Sequence, residues 1–304
     1  MVLSCSYLVD EVRRIMGDGA AHGVRLRYAV ETEPLGTAGG VRNAVDLVRD
    51  LVVVLNGDIL ADLDLTAMLR FHAARGSRAT LYLTRVADPT QYGLVELEAD
   101  GRIRSFVEKP EPGCVTVDTV NAGVYALDRA VVAGIPTGRA VSIERETFPG
   151  LLRDGVPFFG WISASYWLDI GSPAKYRQGQ LDLLAGRVAT PVKPAGARPD
   201  GRAIAPGARV APDATVTAPA VIGAGTRLEP GAQVGPNAVL GAHCVVGAGA
   251  RIEGAILWDD VDVGPGAVLR DCIVGSHVTI GPNAQLGFTA VLENDTVVPP
   301  NTRM

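Results

Sequence analysis

Asp58, Asp169, the adjacent Glu108 and Lys109, and a glycine-rich loop at residues 31–43 are the residues whose types and spacing could do chemistry in this chain. The loop reads E-T-E-P-L-G-T-A-G-G-V-R-N, and the chain then runs into Leu51-Val-Val-Val-Leu-Asn-Gly-Asp58. Glycines let a backbone approach a ligand closely, and a helix N-terminus favours anionic or hydrogen-bonding groups. An Asp just beyond a buried parallel strand lies where open α/β sheets bind ligands. Each residue also has a plain structural reading. Taken alone, Asp58 after Gly57 and Asp169 before Gly171 are ordinary turn residues. A Glu-Lys pair is ordinarily a solvated surface pair. Here a preceding strand and the following Pro110 fix Glu108 and Lys109 at a strand end, which suits binding better.

The elements that must position these residues can be read from periodicity. Leu8, Val12 and Ile15 lie on one face of a helix that stops at Gly17, and Val24, Leu26, Tyr28 and Val30 alternate as a strand facing a core does. Helices are expected at residues 65–75, 142–154 and 174–185, and strands at 79–85, 121–127 and 157–163. Strands at 92–97 and 102–107 flank Ala99-Asp100-Gly101, a hairpin signal, and residues 166–169 lead into a loop. Such alternation predicts an α/β domain with a mostly parallel sheet and helices on both faces.

A different period begins near Arg198. Stepping by six from Ile204 gives Val210, Val216, Ile222, Leu228, Val234, Leu240, Val246 and Ile252, all aliphatic. The register slips near Trp258 and resumes at Val268, Val274, Ile280, Leu286, Leu292 and Val298. Six is the repeat of a parallel β-helix, whose short strands stack aliphatic side chains inward. Two domains are therefore expected, at residues 1–190 and 191–304.

Composition narrows the class. Lys and Arg number 28 against 33 Asp and Glu, a net charge of -5 that offers no field for a nucleic-acid backbone. No apolar run approaches the length of a membrane span. Val2-Leu3-Ser4-Cys5 matches a lipoprotein box only superficially. Cys5, Cys114, Cys244 and Cys272 show no C-x-x-C spacing, so reduced thiols in a cytoplasmic protein are the expectation. His243 and His277 fall in β-helix turns and read as ordinary turn residues, while His22 and His72 have no nucleophile nearby in sequence.

The motifs together resemble the sugar-phosphate nucleotidyltransferases, most closely the mannose-1-phosphate guanylyltransferases, and the six-residue repeat resembles the left-handed β-helix attached to many of them. The resemblance covers nearly the whole chain and implies transfer of a nucleotidyl group from a nucleoside triphosphate, GTP by preference, to a sugar-1-phosphate such as mannose-1-phosphate. Two such anions can meet only with a divalent cation and basic groups, so Mg²⁺ is implied. Asp58 and Asp169 match the family's metal-binding aspartates in order and flanking residues. Glu108-Lys109-Pro110 resembles its E-K-P motif, where the Lys binds the sugar phosphate and the Glu bonds sugar hydroxyls. Tyr92, Gly93, Asn121 and Gly123 match positions lining the sugar site. Leu35, Gly36, Thr37 and Ala38 match the stretch beside the nucleobase. The segments 138–149 and 164–167 also resemble these guanylyltransferases, and they read as packing.

One departure accompanies the matches. The family's G-G-x-G-T-R-L-x-P-L-T loop and its first strand have no counterpart in residues 1–304, so the resemblance implies a truncated Rossmann-like domain and impaired turnover. Two alternatives stay open: an inactive homologue that binds nucleotide sugar and regulates a partner, and a β-helix acyltransferase. A homo-oligomer through the β-helix is a further expectation, because such helices often pack against one another.

Overall fold

The computed structural model describes residues 1–304 except Pro112, Cys114 and Thr289, so the expectation for Cys114 lies outside the described residues. Compactness divides the chain into Met1–Ile59 with Leu63–Trp167, and Leu60–Asp62 with Leu168–Met304. This division falls earlier than the expected boundary at residue 190, because the last helix before the repeats packs within the second unit.

In the first unit, β1 (Val2–Cys5) pairs in parallel with β2 (Arg27–Val30), with α1 (Val9–Met16) between them. The helix ends at Gly17, as expected, where φ is +54. Strand β1 was not anticipated, and in the second strand region the core is reached by Leu26 and Ala29 while Val24 and Val30 stay exposed. Next come α2 (Gly36–Asn43), β3 (Leu51–Leu55), β4 (Ile59–Ala61), α3 (Leu65–Ala74) and β5 (Ala79–Arg85). The α3 cap is Asp64, whose carboxylate accepts the Ala67 N–H at 2.9 Å. A hairpin of β6 (Gly93–Leu97) and β7 (Ile103–Glu108) turns at Gly101, and a long strand β8 (Thr119–Asp128) leads into α4 (Arg129–Ala133). The unit closes with α5 (Phe148–Arg153) and β9 (Phe158–Ile162).

The expected mostly parallel sheet is corrected here. Its strand order is β7-β6-β8-β5-β9 with β3 also on β8, and β8 runs antiparallel to β3, β5 and β6. Within this sheet, among the described residues, only β5 and β9 pair in parallel. Alternating sequence elements reveal faces, not directions. The hairpin and the ten-residue β8, buried over most of its length, settle the directions. The core lies between this sheet and α5, with Leu81, Leu83, Tyr125, Leu127, Phe148 and Phe158 fully buried. Strand β3 is likewise not a buried parallel strand. Among the described residues it pairs only with β8, Leu51 and Leu55 are exposed, and it shares with β1 the lining of a groove of about 930 Å³.

In the second unit, β10 (Trp167–Asp169) pairs with β4, and α6 (Pro173–Leu184) begins on the Ser172 cap. Residues 166–169, expected to enter a loop, thus include a strand. From Arg202 the chain winds into three parallel sheets of six, six and five short strands. This is the expected parallel β-helix. Ile222, Leu240, Leu257, Val274 and Leu292 form one inward ladder, while Leu228, Val246, Val263, Ile280 and Val298 form another. The slip resolves into two single-residue deletions. Coils pair eighteen residues on at Val234 and Ile252, but seventeen on at Val246 and Val263. Inward positions therefore step from Ile252 to Leu257 and from Leu269 to Val274. The inward residue is Leu269, fully buried, rather than the expected Val268.

Cys244 and Cys272 fill small-residue columns of this core, and burial pushes the Cys272 thiol up to about 12, which leaves it inert. His243 and His277 are left-handed turn residues, with φ of 58 and 59. That is the ordinary place for a short polar residue.

Candidate active site

Strands β6 and β7 build one wall. Gly93 lies opposite Glu108 in the ladder, and a Cβ at Gly93 would approach Glu108 Oε2 to 2.8 Å and the Phe106 ring to 2.7 Å. Only glycine leaves this carboxylate its place. Glu108 is half-buried, and burial, then the negative charge of Glu144, raise its pKa, while Lys109 and Arg145 partly offset them. Lys109 has φ of 46, a left-handed backbone that costs a β-carbon residue about 1–2 kcal/mol. Its N–H donates to Tyr92 O at 3.2 Å, and its exposed ammonium makes no ion pair with the described residues. A strained, unpaired lysine beside a half-buried carboxylate is an arrangement that a phosphate and a hydroxyl could complete.

Strand β8 supplies the floor. Asn121 donates from Nδ2 to the Tyr125 hydroxyl at 3.1 Å and accepts the Gly123 N–H at 3.2 Å. Burial raises the Tyr125 pKa, keeping this hydroxyl neutral. Gly123 has φ of +75, and a Cβ there would meet Ile59 at 2.9 Å and the Asn56 amide at 3.1 Å. The Asn56 N–H donates to Gly123 O at 2.9 Å, so the Asn56-Gly57-Asp58 turn lies directly on this strand. Asp58 projects from that turn, exposed, with no hydrogen bond or ion pair among the described residues. Trp167, expected only to pack, also makes a directed hydrogen bond. Its indole N–H donates to Ala122 O at 2.9 Å, and Tyr92 lies edge-on to its ring at 5.3 Å.

The glycine-rich loop is more committed than its sequence implies. Helix α2 opens at Gly36, where a Cβ would come within 2.7 Å of Val141 O, and the Ala38 and Gly39 amides donate to that same carbonyl. Those helix-start donors are therefore already used. Leu35 donates its N–H to Glu31 Oε2 at 2.9 Å. The Thr37 hydroxyl donates to Glu144 Oε2 at 2.8 Å and accepts the Ile143 N–H at 2.8 Å. Ser142 adds a bond to the same carboxylate oxygen at 2.9 Å. Residues 143–147 form a π-type turn instead of the expected α-helix, a distortion common at functional sites. Glu144 is thus a candidate site residue that the sequence motifs do not mark. Its only signal was an acid in a first helical turn, which capping explains equally well.

In the second unit Asp169 ends β10. Its Oδ1 accepts the Gly171 N–H at 2.8 Å, and its Oδ2 lies 3.1 Å from the Lys175 ammonium.

With this geometry in place, similarity to known proteins is informative. The profile of the nucleotidyl transferase family matches residues 1–186. The chain belongs to this family. The profile of the EIF2B subunit epsilon LbH domain matches residues 204–304, in keeping with a left-handed β-helix. A mannose-1-phosphate guanylyltransferase of Mycobacterium tuberculosis is 40% identical over 236 residues, which cover 75% of this chain and 65% of that protein. The mannose-1-phosphate guanylyltransferase catalytic subunit beta of Xenopus tropicalis is 35% identical over 189 residues, covering 60% and 51%. The chain thus spans between about half and two-thirds of the curated relatives it matches. The crystal structure of HddC from Yersinia pseudotuberculosis complexed with GMP-PN superposes with a TM-score of 0.51 at 26% identity, covering 59% of this chain and 76% of that one. Among the described residues no helix is long and apolar enough to cross a membrane.

Proposed function

We propose that this chain transfers a nucleotidyl group from GTP to mannose-1-phosphate, giving GDP-mannose and pyrophosphate. The observation that carries this reading is Lys109, held left-handed and unpaired beside the half-buried Glu108. Lys109 binds the sugar phosphate as a charge-assisted pair, leaving its attacking oxygen oriented toward the α-phosphorus. Glu108 accepts from sugar hydroxyls, and Glu144, already bonded to Thr37, braces the nucleotide side against the sugar side. Gly93 and Gly123 shape the sugar side by making room for Glu108 and for Asn56, Tyr92 and Asn121 line its edge, and Leu35, Gly36 and Thr37 lie on the base side, whereas Ala38, expected beside the base, is fully buried behind them. The substrate pair follows the relatives' names and the guanine nucleotide in the solved neighbour's title.

The aspartates suit Mg²⁺, which takes hard oxygen donors and needs only one or two carboxylates beside phosphates. Asp58 is free and exposed, and Asp169 keeps lone pairs beyond its two partners. Among the described residues no cluster of three or more metal-ligating side chains occurs. When bound, Mg²⁺ supplies charge neutralisation at the phosphates.

Pyrophosphate release measured with GTP, mannose-1-phosphate and Mg²⁺ tests the proposal. Slow release that requires both substrates is expected. Tight GDP-mannose binding with no release would instead support a regulatory, nucleotide-sugar-binding role.

A further inference from the structure

The two deletions in the β-helix repeat have a structural consequence. Each shortens the same corner, from Ile252 to Leu257 and from Leu269 to Val274, whereas the corners before and after keep six residues. The shortened corners sit on adjacent coils at Gly254 and Asp271, both left-handed at φ of +61 and 52. Arg177 of α6 enters this notch. Its Nε donates to Gly254 O at 2.9 Å, and its guanidinium pairs with the Asp271 carboxylate. The Arg177 side chain is only 18% exposed, and a Cβ at Gly254 would come within 2.9 Å of its Nη2. Any residue but glycine at 254 would crowd the guanidinium and the Asp271 carboxylate out of this place.

The opposite face of the same helix is equally constrained. A Cβ at Gly179 would meet Ile170 at 3.2 Å, Leu60 at 3.3 Å and Leu168 at 3.6 Å, so α6 lies flush against β4 and β10. At the helix start, Ser172 caps Lys175 and the Lys175 ammonium pairs with Asp169. A continuous set of contacts therefore runs from the notch through α6 to the Asp169 carboxylate.

We infer that Arg177 is a positioning residue for Asp169, and that the paired deletions in the β-helix exist to receive it. The repeat domain is then not a passive appendage, because its defect sets where α6 begins and hence how Asp169 and Lys175 are presented. The inference rests on the reading of Asp169 as a metal ligand, and the two can fail separately. Lysine cannot replace the guanidinium fully, since one ammonium cannot serve both the Gly254 carbonyl and the Asp271 carboxylate in this fixed geometry.

The test uses the whole chain and two readouts, hydrogen exchange across residues 168–176 and Mn²⁺ affinity by water-proton relaxation. Arg177→Met and Gly254→Ala should each speed exchange in that segment at least about tenfold and weaken Mn²⁺ binding to a similar degree, with Arg177→Lys between them and the parent. Asp271→Asn, which keeps the shape and loses the charge, covers the case in which the larger changes disturb folding, and circular dichroism reports that disturbance. Parental exchange and Mn²⁺ affinity in all the folded variants would overturn the inference. Faster exchange with unchanged Mn²⁺ affinity would reduce Arg177 to a structural contact and overturn its positioning role. If Asp169→Asn bound Mn²⁺ like the parent, the metal reading would fall while the exchange result still judged the latch.

Discussion

In the β-helix, Leu240, Leu257 and Val274 occupy equivalent places in successive coils, whereas in the first unit Gly36, Gly93 and Gly123 each admit a different neighbour. A column of equivalent aliphatic residues is stabilised by burial alone, and each coil needs only its two neighbours. The first unit holds its carboxylates, amides and lysine by contacts that occur once each. Thr37 meets Glu144 across more than a hundred residues of sequence, and Gly93 faces Glu108 across a hairpin. Repetition makes a region easy to read and easy to stabilise. Unique contacts make a site, at the cost of half-buried charge and a left-handed lysine.

The comparison is sharpened most by the corrected register. Leu269→Ala removes a fully buried rung of the β-helix and should cost about 2–5 kcal/mol in unfolding free energy. Val268→Ala, one residue earlier on a half-exposed position, should stay within about 0.5 kcal/mol. Chemical denaturation of both variants measures the difference, and equal losses would restore the simple six-residue register.

A smaller effect distinguishes the first unit by pH. His72 is buried, accepts or donates at Nδ1 with Thr80 at 2.9 Å, and has its pKa lowered by burial despite Asp128 nearby. Below the usual value of 6.5 the unfolded chain takes up the proton more readily than the folded one. Stability contributed by the neutral ring is therefore full above pH 6.5 and lost as pH falls toward the lowered folded value. His72→Gln should flatten the acid side of a melting-temperature profile for the first unit and leave that of the β-helix unchanged.

The smallest effect concerns the tension within the site. Glu108 is disfavoured as a charge by burial and by Glu144. Glu108→Gln should raise the melting temperature of the first unit by roughly 1–3 °C at neutral pH while weakening sugar-phosphate binding. A stability loss would show that the carboxylate is well solvated.

The sequence carried much of this unevenly. Strand β5 was legible to the residue, because buried β-branched and aromatic residues between a glycine turn and an aspartate-proline turn admit few alternatives. The β-helix was legible because a six-residue aliphatic period has one common structural cause. Its deletions showed only as a slip, since Val268 and Leu269 are both aliphatic and only coil pairing tells which points inward. Strand directions were hidden because alternation fixes the face a residue occupies and says nothing of its partner. Of the site, the Glu108-Lys109 and Asn121–Gly123 motifs were legible as motifs. Glu144, Trp167 and the Arg177 notch were not, because each depends on a partner at least forty residues away.

Calorimetric titration of mannose-1-phosphate into the parent chain and into Lys109→Ala tests the central claim most directly. The parent should bind one molecule per chain, and the variant should lose about 10–100-fold in affinity, the worth of a hydrogen bond to a charged group of about 1.5–3 kcal/mol. Equal affinity in the two proteins would contradict the assignment of Lys109 as the sugar-phosphate anchor, and with it the proposed site.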